Sequence, residues 1–340
     1  MSTPRLVVDR AVLDANLRRT ASWARACGLD LRPHVKTHKS VDLARLQVEA
    51  GAVGITVATV GEAEVFAAAG FRDLFVAYPL WLDAGRVERL RRLAGAAERL
   101  AIGVDSVSSA ERAAALPVDV LIEVDSGHHR SGVAAAAAGV GAVAERLGDR
   151  LRGVFSFPGH SYGPQTRVSA ASDEAAALGA ARDAVLATGM GVRVVSGGST
   201  PSLAATDPEV LTEVRPGVYV FNDAQQWELG TCGPEDIALT CHATVVSHAG
   251  GRLVLDAGSK VLGADRAAYA TGFGRLLDHP DARIVLLSEH HAVAELPGPL
   301  LPLGSTVRVV PNHVCNAVNL VDALVVGDAT WPVSARGRND

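Results

Sequence analysis

The residue with the most distinctive chemistry in this sequence is Lys36, in the segment 32–39 (RPHVKTHK). Of the 32 basic residues only three are lysines, at positions 36, 39 and 260. Because arginine serves wherever a plain positive charge is needed, a retained lysine is a candidate for losing its proton and attacking a carbonyl group. The sequence therefore predicts a Schiff base at Lys36; the alternative is that Lys36 and Lys39 are solvated surface charges.

A second candidate is the loop 196–202 (SGGSTPS). A glycine such as Gly198 lets the backbone approach an anion closely, and the hydroxyls of Ser199 and Thr200 can donate to phosphate oxygens. Barrel enzymes often bind phosphate after strands seven and eight, and this loop follows the seventh predicted strand. A Ser/Gly run can equally be a plain turn. A phosphate site together with a scarce lysine predicts pyridoxal phosphate, bound as an imine.

The third candidate is the segment 311–316 (PNHVCN). If it is extended, His313 and Cys315 point to the same face and can bind one metal. Imidazole plus thiolate favours zinc over harder divalent metals, and two protein ligands leave room for water and substrate. The alternative is a buried cysteine beside a capping histidine. Among the other histidines, His160 is a candidate acid–base group because it follows a predicted strand beside Tyr162.

These candidates need elements that bring them together. Eight Val- or Ile-rich runs, ending near residues 35, 57, 76, 104, 124, 157, 195 and 221, alternate with alanine- and arginine-rich helical segments. This pattern predicts a closed (β/α)₈ barrel over residues 10–233; an open doubly wound sheet is the rival. Short alternating strands then predict an antiparallel β-domain over residues 234–340, which residues 1–9 join.

Bulk properties exclude several classes of function. A net charge of −5 and a pI near 6.1 argue against nucleic acid or an anionic membrane as the main partner. The N-terminus does not have the pattern of a signal peptide, and no apolar run is long enough to span a membrane. Four scattered cysteines do not suit a disulfide scaffold. We therefore expect a cytoplasmic protein that acts on a small molecule.

Together these motifs, with the segment 215–223 (RPGVYVFND), resemble the D-serine dehydratase and D-threonine aldolase group of fold-type III pyridoxal-phosphate enzymes. The resemblance covers nearly the whole chain. It implies an alanine-racemase-like barrel plus β-domain, usually a homodimer with its active site near the subunit interface. It also implies that Lys36 carries the cofactor. The other implied cofactor contacts are the phosphate loop Gly198, Ser199 and Thr200, the ring neighbours Arg130 and Tyr162, and the phosphate neighbours Tyr219 and Asn222.

Within this group, the order His313-x-Cys315 resembles the dehydratase branch, which uses zinc, although another divalent metal remains possible for this donor set. One departure is His290, where a second glutamate is expected. The implied reaction is β-elimination from a D-3-hydroxy amino acid such as D-serine, D-threonine or 3-hydroxyaspartate, giving a 2-oxo acid and ammonia. Lys36 would remove the α-proton. Three alternatives remain: retro-aldol cleavage with His160 as base, an amino-acid racemase, and a non-enzymatic pyridoxal-phosphate carrier.

Overall fold

A computed structural model describes residues 2–340 of the chain. Contacts within the chain divide it into two units. The parallel-sheet unit comprises Thr20–Lys36, Ala44–Gly217 and Arg338–Asp340. The antiparallel-sheet unit comprises the residues up to Arg19, Thr37–Leu43 and Val218–Gly337. The main division falls after residue 217, ahead of the boundary at 233 that the change in sequence pattern indicated.

The strands and helices alternate through the first two thirds of the chain, and strands dominate the last third. The strands are β1 (Arg5–Val8), β2 (Asp30–Leu31), β3 (Ile55–Val57), β4 (Asp73–Pro79), β5 (Arg99–Val104), β6 (Asp119–Asp125), β7 (Val133–Ala134), β8 (Leu151–Phe155), β9 (Val194–Gly197), β10 (Glu213–Val214), β11 (Leu239–Ser247), β12 (Leu253–Leu255), β13 (Gly274–Leu276), β14 (His279–Leu287), β15 (Ala292–Glu295), β16 (Thr306–Pro311), β17 (Ala323–Val326) and β18 (Ala329–Pro332). The helices are α1 (Arg10–Ala26), α2 (Val41–Glu49), α3 (Val60–Ala68), α4 (Ala84–Ala96), α5 (Val107–Ala114), α6 (Ala137–Leu147), α7 (Arg167–Ala187), α8 (Ala224–Glu228), α9 (Ser259–Leu262) and α10 (Val314–Asn319). Among the described residues, no helix has the length and apolar character needed to cross a membrane.

The parallel-sheet unit has eight strands side by side in the order β2, β10, β9, β8, β6, β5, β4, β3, and every neighbouring pair is parallel. The two end strands meet at one bridge between His34 and Thr56. The Val53 N–H also donates to the Leu31 carbonyl at 2.9 Å. A curled parallel sheet is thus confirmed. The continuous strand pairing of the predicted closed barrel is not seen at this seam in the part of the chain that the structure describes.

A proline shortens the first strand of this sheet. The sequence predicted a strand that ends near Val35, but β2 ends at Leu31. Pro33, two residues later, has no N–H to donate to a ladder. The chain turns instead into a 3₁₀ helix over Val35–Thr37, which carries the predicted Schiff-base lysine.

A second proline shortens the last strand in the same way. The predicted eighth strand, ending near Phe221, is wrong: β10 stops at residue 214, two residues before Pro216. A 3₁₀ helix over Val218–Val220 follows. Residues 208–210 form a turn, in which the Leu211 N–H donates to the Asp207 carbonyl at 3.0 Å.

Side-chain caps start the helices that follow β3, β4 and β5. The side-chain oxygens of Thr59, Asp83 and Ser106 each accept the backbone N–H three residues later, at 3.0, 2.9 and 3.3 Å. A cap of this kind satisfies one of the donors left free in the first helical turn. Each helix therefore begins shortly after its strand ends, which places the connecting loops at the carboxyl edge of the sheet.

The interior of the parallel-sheet unit combines aromatic rings with buried ion pairs. Phe75 and Phe155 meet edge to face with ring centres 5.1 Å apart. The guanidinium of Arg215 lies 5.6 and 5.3 Å from these two ring centres. Towards the amino ends of the strands, buried Arg32 pairs with Glu213 at 2.6 Å. Buried charges are tolerated when they are paired in this way.

The antiparallel-sheet unit contains a ring of six antiparallel strands. These follow in the order β11, β16, β13, β14, β15 and β12, and β12 pairs with β11 to complete the ring. The N-terminal strand β1 pairs antiparallel with β11 and parallel with β17. Strand β18 pairs with β17 at the edge.

Candidate active site

The side chain of Phe157 is the centre of a cluster in the parallel-sheet unit. The Lys36 Nζ lies 5.5 Å from the centre of its ring, and the Arg130 guanidinium lies 5.0 Å from the same centre. The rings of Tyr162 and His128 lie 6.2 and 5.6 Å away. Cations within about 6 Å of an aromatic ring are attracted to its face. The structure therefore brings Lys36, Arg130 and Tyr162 together around a phenylalanine that the sequence did not single out.

The other two lysines have different surroundings. Lys39 is buried in the antiparallel-sheet unit, with 7% of its surface exposed. The Lys260 side chain is 62% exposed, and its Nζ lies 3.6 Å from Glu289. Half-buried Lys36 is the lysine that lies at the carboxyl edge of the parallel strands, where barrel enzymes place their chemistry.

Positive charge is concentrated around Lys36. Burial, followed by the charges of Lys36, Arg215 and Arg130, holds the pKa of His34 well below its usual value. The His34 ring is therefore neutral at pH 7, and its Nδ1 accepts the Lys36 backbone N–H at 3.4 Å. A surplus of positive charge favours an anionic ligand, such as a phosphate ester or an amino-acid carboxylate.

Glu123 supplies a buried acceptor close to these cations. Its Oε1 accepts the Ser131 hydroxyl at 3.1 Å, whereas no group among the described residues donates to its buried Oε2. Burial raises the pKa of Glu123, and the charges of Arg130 and Arg215 act in the opposite direction. A buried acceptor normally has a donor from protein, water or ligand. A polar, phosphorylated aldehyde such as pyridoxal phosphate fits this set of groups, which comprises the Lys36 amine, the neighbouring arginines and the Glu123 acceptor.

His160 lies in the 3₁₀ helix Gly159–Tyr162, which follows β8. Its Nε2 lies 3.3 Å from the Asp173 carboxylate, on α7. Its Nδ1 is buried, and no described residue provides it with a partner. A carboxylate on one ring nitrogen leaves the other nitrogen for proton transfer. This geometry suits an acid–base group, and the catalytic role of His160 stays a prediction.

The predicted phosphate loop is buried and rich in hydroxyls. Ser199 Oγ lies 2.8 Å from the hydroxyls of both Ser161 and Ser202. Gly198 has φ +77°, and a Cβ there would lie 3.2 Å from Val214. The loop is therefore close-packed and polar, as an anion site requires. Its Gly198 N–H, however, donates to Glu174 and not towards an open cavity. Phosphate binding by Gly198, Ser199 and Thr200 stays a prediction.

Tyr219 and Asn222 lie in the antiparallel-sheet unit, on the turn that replaces the predicted eighth strand. Tyr219 is 5% exposed. Asn222 has φ +53°, and its Nδ2 donates to the Asp236 carbonyl at 3.0 Å. Their predicted role beside the phosphate is not tested by these contacts.

His313 and Cys315 come together in a different way from the predicted one. The expectation that 311–316 is extended is wrong, because β16 ends at Pro311 and α10 begins at Val314, with His313 as its N-cap residue. The two side chains nevertheless hydrogen-bond to each other, and the charge of Cys315 is the largest contribution that raises the pKa of His313 to about 11. The Cys315 sulfur also lies 3.4 Å from Thr37 Oγ1.

Two carboxylates that the sequence did not indicate hold this pair. Asp265 Oδ2 lies 2.6 Å from His313 Nδ1. Asp223, which is fully buried, accepts the Val314 N–H at 3.1 Å and the Gln226 N–H at 2.9 Å. Burial raises the pKa of Asp223 to about 6. Neither aspartate has a local sequence signal, because each depends on a contact between distant parts of the chain.

The donor chemistry of this cluster suits a zinc-type cation. A ligating histidine commonly gives its second nitrogen to a carboxylate, as His313 does to Asp265. Within residues 2–340, no group of three or more His, Cys, Asp or Glu side chains is arranged to hold a metal ion. Metal binding by His313 and Cys315 stays a prediction, in which a bound cation would take its remaining ligands from water or substrate.

Comparisons with known proteins show the family and the fold of the chain. The family model for the alanine racemase N-terminal domain matches residues 8–225, and a model for a serine dehydratase domain matches residues 238–327. D-threo-3-hydroxyaspartate dehydratase of Delftia sp. (strain HT23) is 36% identical over 349 residues, which cover 93% of this chain and 91% of that protein. D-threonine aldolase of Arthrobacter sp. is 34% identical over 365 residues, covering 99% and 93%. A solved metal-free structure of a cysteine-to-alanine variant of D-threo-3-hydroxyaspartate dehydratase superposes with a TM-score of 0.90 at 34% identity, covering 98% of this chain and 97% of that one.

The neutral state of His34 generates a prediction about acid stability. The unfolded chain protonates this ring near pH 6.5, whereas the folded chain does not, so stability is lost as the pH falls below that value. Each pH unit costs up to about 1.4 kcal/mol. The variant His34→Asn keeps an acceptor for the Lys36 N–H but does not titrate. Urea unfolding at roughly pH 7.5 and 5.5 should therefore show a smaller loss of stability for His34→Asn than for the parent.

The matched control is His290→Asn, at an exposed residue between β14 and β15. It should lose as much stability on acidification as the parent does. An equal loss in His34→Asn and the parent would show that His34 is not held neutral.

Proposed function

We propose that this chain, which belongs to the fold-type III pyridoxal-phosphate family with D-threo-3-hydroxyaspartate dehydratase and D-threonine aldolase, is a lyase that eliminates water from a D-3-hydroxy amino acid. Hydrolysis of the resulting enamine takes up one water and releases ammonia, so ammonia is the net loss. The product is a 2-oxo acid. The observation that carries the proposal is the half-buried Lys36 amine, which lies on the face of Phe157 beside Arg130. The dehydratase relative, similar over nearly the whole chain, supports elimination as the reaction.

In this proposal Lys36 would bind pyridoxal phosphate covalently through its amine, and Gly198, Ser199 and Thr200 would hold its phosphate together with Tyr219 and Asn222. Arg130 and Tyr162 would contact its ring. The bound cofactor supplies an electron sink for negative charge at the substrate Cα. The Lys36 amine would take the α-proton of the substrate, because a positioned, unprotonated amine can act as a general base.

His313 and Cys315 would hold a divalent cation, for which a nitrogen and sulfur donor set favours zinc. Such a cation supplies Lewis-acid activation of a hydroxyl leaving group. The contacts of Asp265 and Asp223 keep the imidazole and the helix start in place for this role.

Retro-aldol cleavage is the second candidate, favoured by the His160–Asp173 contact and by the aldolase relative. There His160 would take the proton of the β-hydroxyl, giving glycine and an aldehyde. A racemase needs no metal site, and a carrier needs no second unit, so the His313–Cys315 pair counts against both. The proposal includes a homodimer, by family resemblance, and a reducing cytoplasm, which four free cysteines suit.

The products from D-threonine distinguish elimination from retro-aldol cleavage. We expect 2-oxobutanoate and ammonia in equal amounts, and oxaloacetate and ammonia from D-threo-3-hydroxyaspartate. Both should disappear when a chelator removes the metal. The L-isomers serve as controls and should give no product. Glycine and acetaldehyde from D-threonine would overturn the proposed reaction in favour of the aldolase.

Removal of the Cys315 thiol tests whether this residue binds a metal that the reaction needs. Cys315→Ala should lower both the bound zinc, measured by elemental analysis after dialysis, and the rate of elimination. We expect a loss of zinc affinity of at least about 100-fold, because one of two protein ligands is gone. Cys27→Ala, at a half-buried free cysteine in the parallel-sheet unit, is the control and should keep the parent's zinc and rate. Unchanged zinc and rate in Cys315→Ala would remove this cysteine from the mechanism.

A further inference from the structure

Glu174 is a buried carboxyl group that the proposed mechanism does not use. It lies on α7 and is 1% exposed. Both of its carboxyl oxygens accept the backbone N–H of Gly198, at 3.1 and 3.0 Å. The residue is therefore bound directly to the loop that is proposed to hold the cofactor phosphate.

The loop is shaped around this carboxyl group. A Cβ at Gly197 would lie 2.6 Å from Glu174 Oε1 and 2.9 Å from Leu211, so no larger residue fits there unless the carboxyl group moves. Gly198 has φ +77°, in the left-handed region that glycine adopts at little cost. Because a buried N–H without an acceptor is costly, Glu174 stabilises this unusual turn.

We propose that Glu174 is the positioning residue of the phosphate loop, and that its carboxyl group takes up a proton when a phosphate ester binds to Ser199 and Thr200. This inference rests on the proposed function, in which that loop holds the phosphate. Glu174 acts through Gly198 and does not itself touch the ligand.

The charges around Glu174 explain why proton uptake accompanies binding. Burial raises the pKa of Glu174 to about 8, and Arg215 is the charged group that acts against this rise. Arg215 also interacts electrostatically with Glu213 and Glu123. On the elements that pack against α7, His160 pairs with Asp173 and not with Glu174. A phosphate dianion beside Gly198 adds negative charge and favours the protonated carboxyl group further.

The sign of the pH dependence follows from this coupling. Below pH 8 the carboxyl group is already mostly neutral, and a phosphate ester binds without repulsion. Above pH 8 the carboxylate must first be protonated, so the Kd of the phosphate ester rises, approaching about tenfold per pH unit. The variant Glu174→Gln keeps an acceptor for the Gly198 N–H but carries no charge, so its Kd should rise less with pH than the Kd of the parent.

The experiment uses the full-length chain, freed of cofactor with hydroxylamine, and pyridoxine 5′-phosphate as the probe. This probe carries the phosphate but no aldehyde, so it cannot form a Schiff base with Lys36. Titration calorimetry in two buffers of different ionisation heat measures the protons taken up. We expect the parent to take up about half a proton more than Glu174→Gln near pH 8, since ionisation of the probe itself is common to both proteins.

Two further variants complete the design. Glu174→Leu removes the acceptor and should raise the Kd at least about tenfold at pH 7, whereas Glu174→Gln should stay within about threefold of the parent. Glu62→Gln is the matched control: Glu62 is also 1% exposed and accepts the Ala58 N–H at 2.7 Å. It should keep the parent's Kd and proton uptake.

The inference would be overturned if Glu174→Gln showed the same proton uptake as the parent and the same dependence of Kd on pH. It would also be overturned if a folded Glu174→Leu variant kept the parent's Kd. These results would leave the proposed function standing if the parent binds the probe. Failure of the parent to bind either the probe or pyridoxal phosphate would overturn the proposed function, and this inference with it.

Discussion

The crowding of positive charge on one aromatic ring is the constraint on which the parallel-sheet unit's chemistry depends. Lys36 and Arg130 both lie against Phe157, and the nearby imidazole of His34 is kept neutral. Cation–π attraction of about 0.5–2 kcal/mol favours each cation over the ring. Two cations on one ring suit a dianionic ligand, which is why a phosphorylated aldehyde fits this surrounding better than a neutral one.

Carboxylates hold the candidate residues in each of the two units without forming the contacts expected of catalytic groups. In the parallel-sheet unit, Glu174 accepts from the phosphate loop and Asp173 from His160. In the antiparallel-sheet unit, Asp265 holds His313 and Asp223 holds the peptide N–H between the two proposed metal ligands. Each carboxylate fixes a backbone or ring that would otherwise be free to turn, so the reactive groups are placed before a ligand binds.

The sequence was most informative where a residue type is scarce or a pattern is periodic. Runs of branched residues indicated the parallel strands, and the rarity of lysine indicated Lys36. The predicted strand ends were wrong where a single residue ends an element, since Pro33 and Pro216 shorten two strands. The pairing of His313 with Cys315 was anticipated for the wrong reason, because a helix start and not an extended segment brings them together. Phe157, Glu174 and Asp265 could not be found, since only the folded chain distinguishes them from other residues of their type.

The account depends most directly on Lys36 as the residue that binds the cofactor. Borohydride reduction of the enzyme as purified, followed by digestion and mass spectrometry, fixes any Schiff base to its lysine. The account predicts a pyridoxyl group on the peptide that contains Lys36, retained in a Lys260→Arg variant and lost in Lys36→Arg. A pyridoxyl group on Lys39 or Lys260, or reduction that leaves every lysine unmodified in cofactor-loaded enzyme, would contradict it.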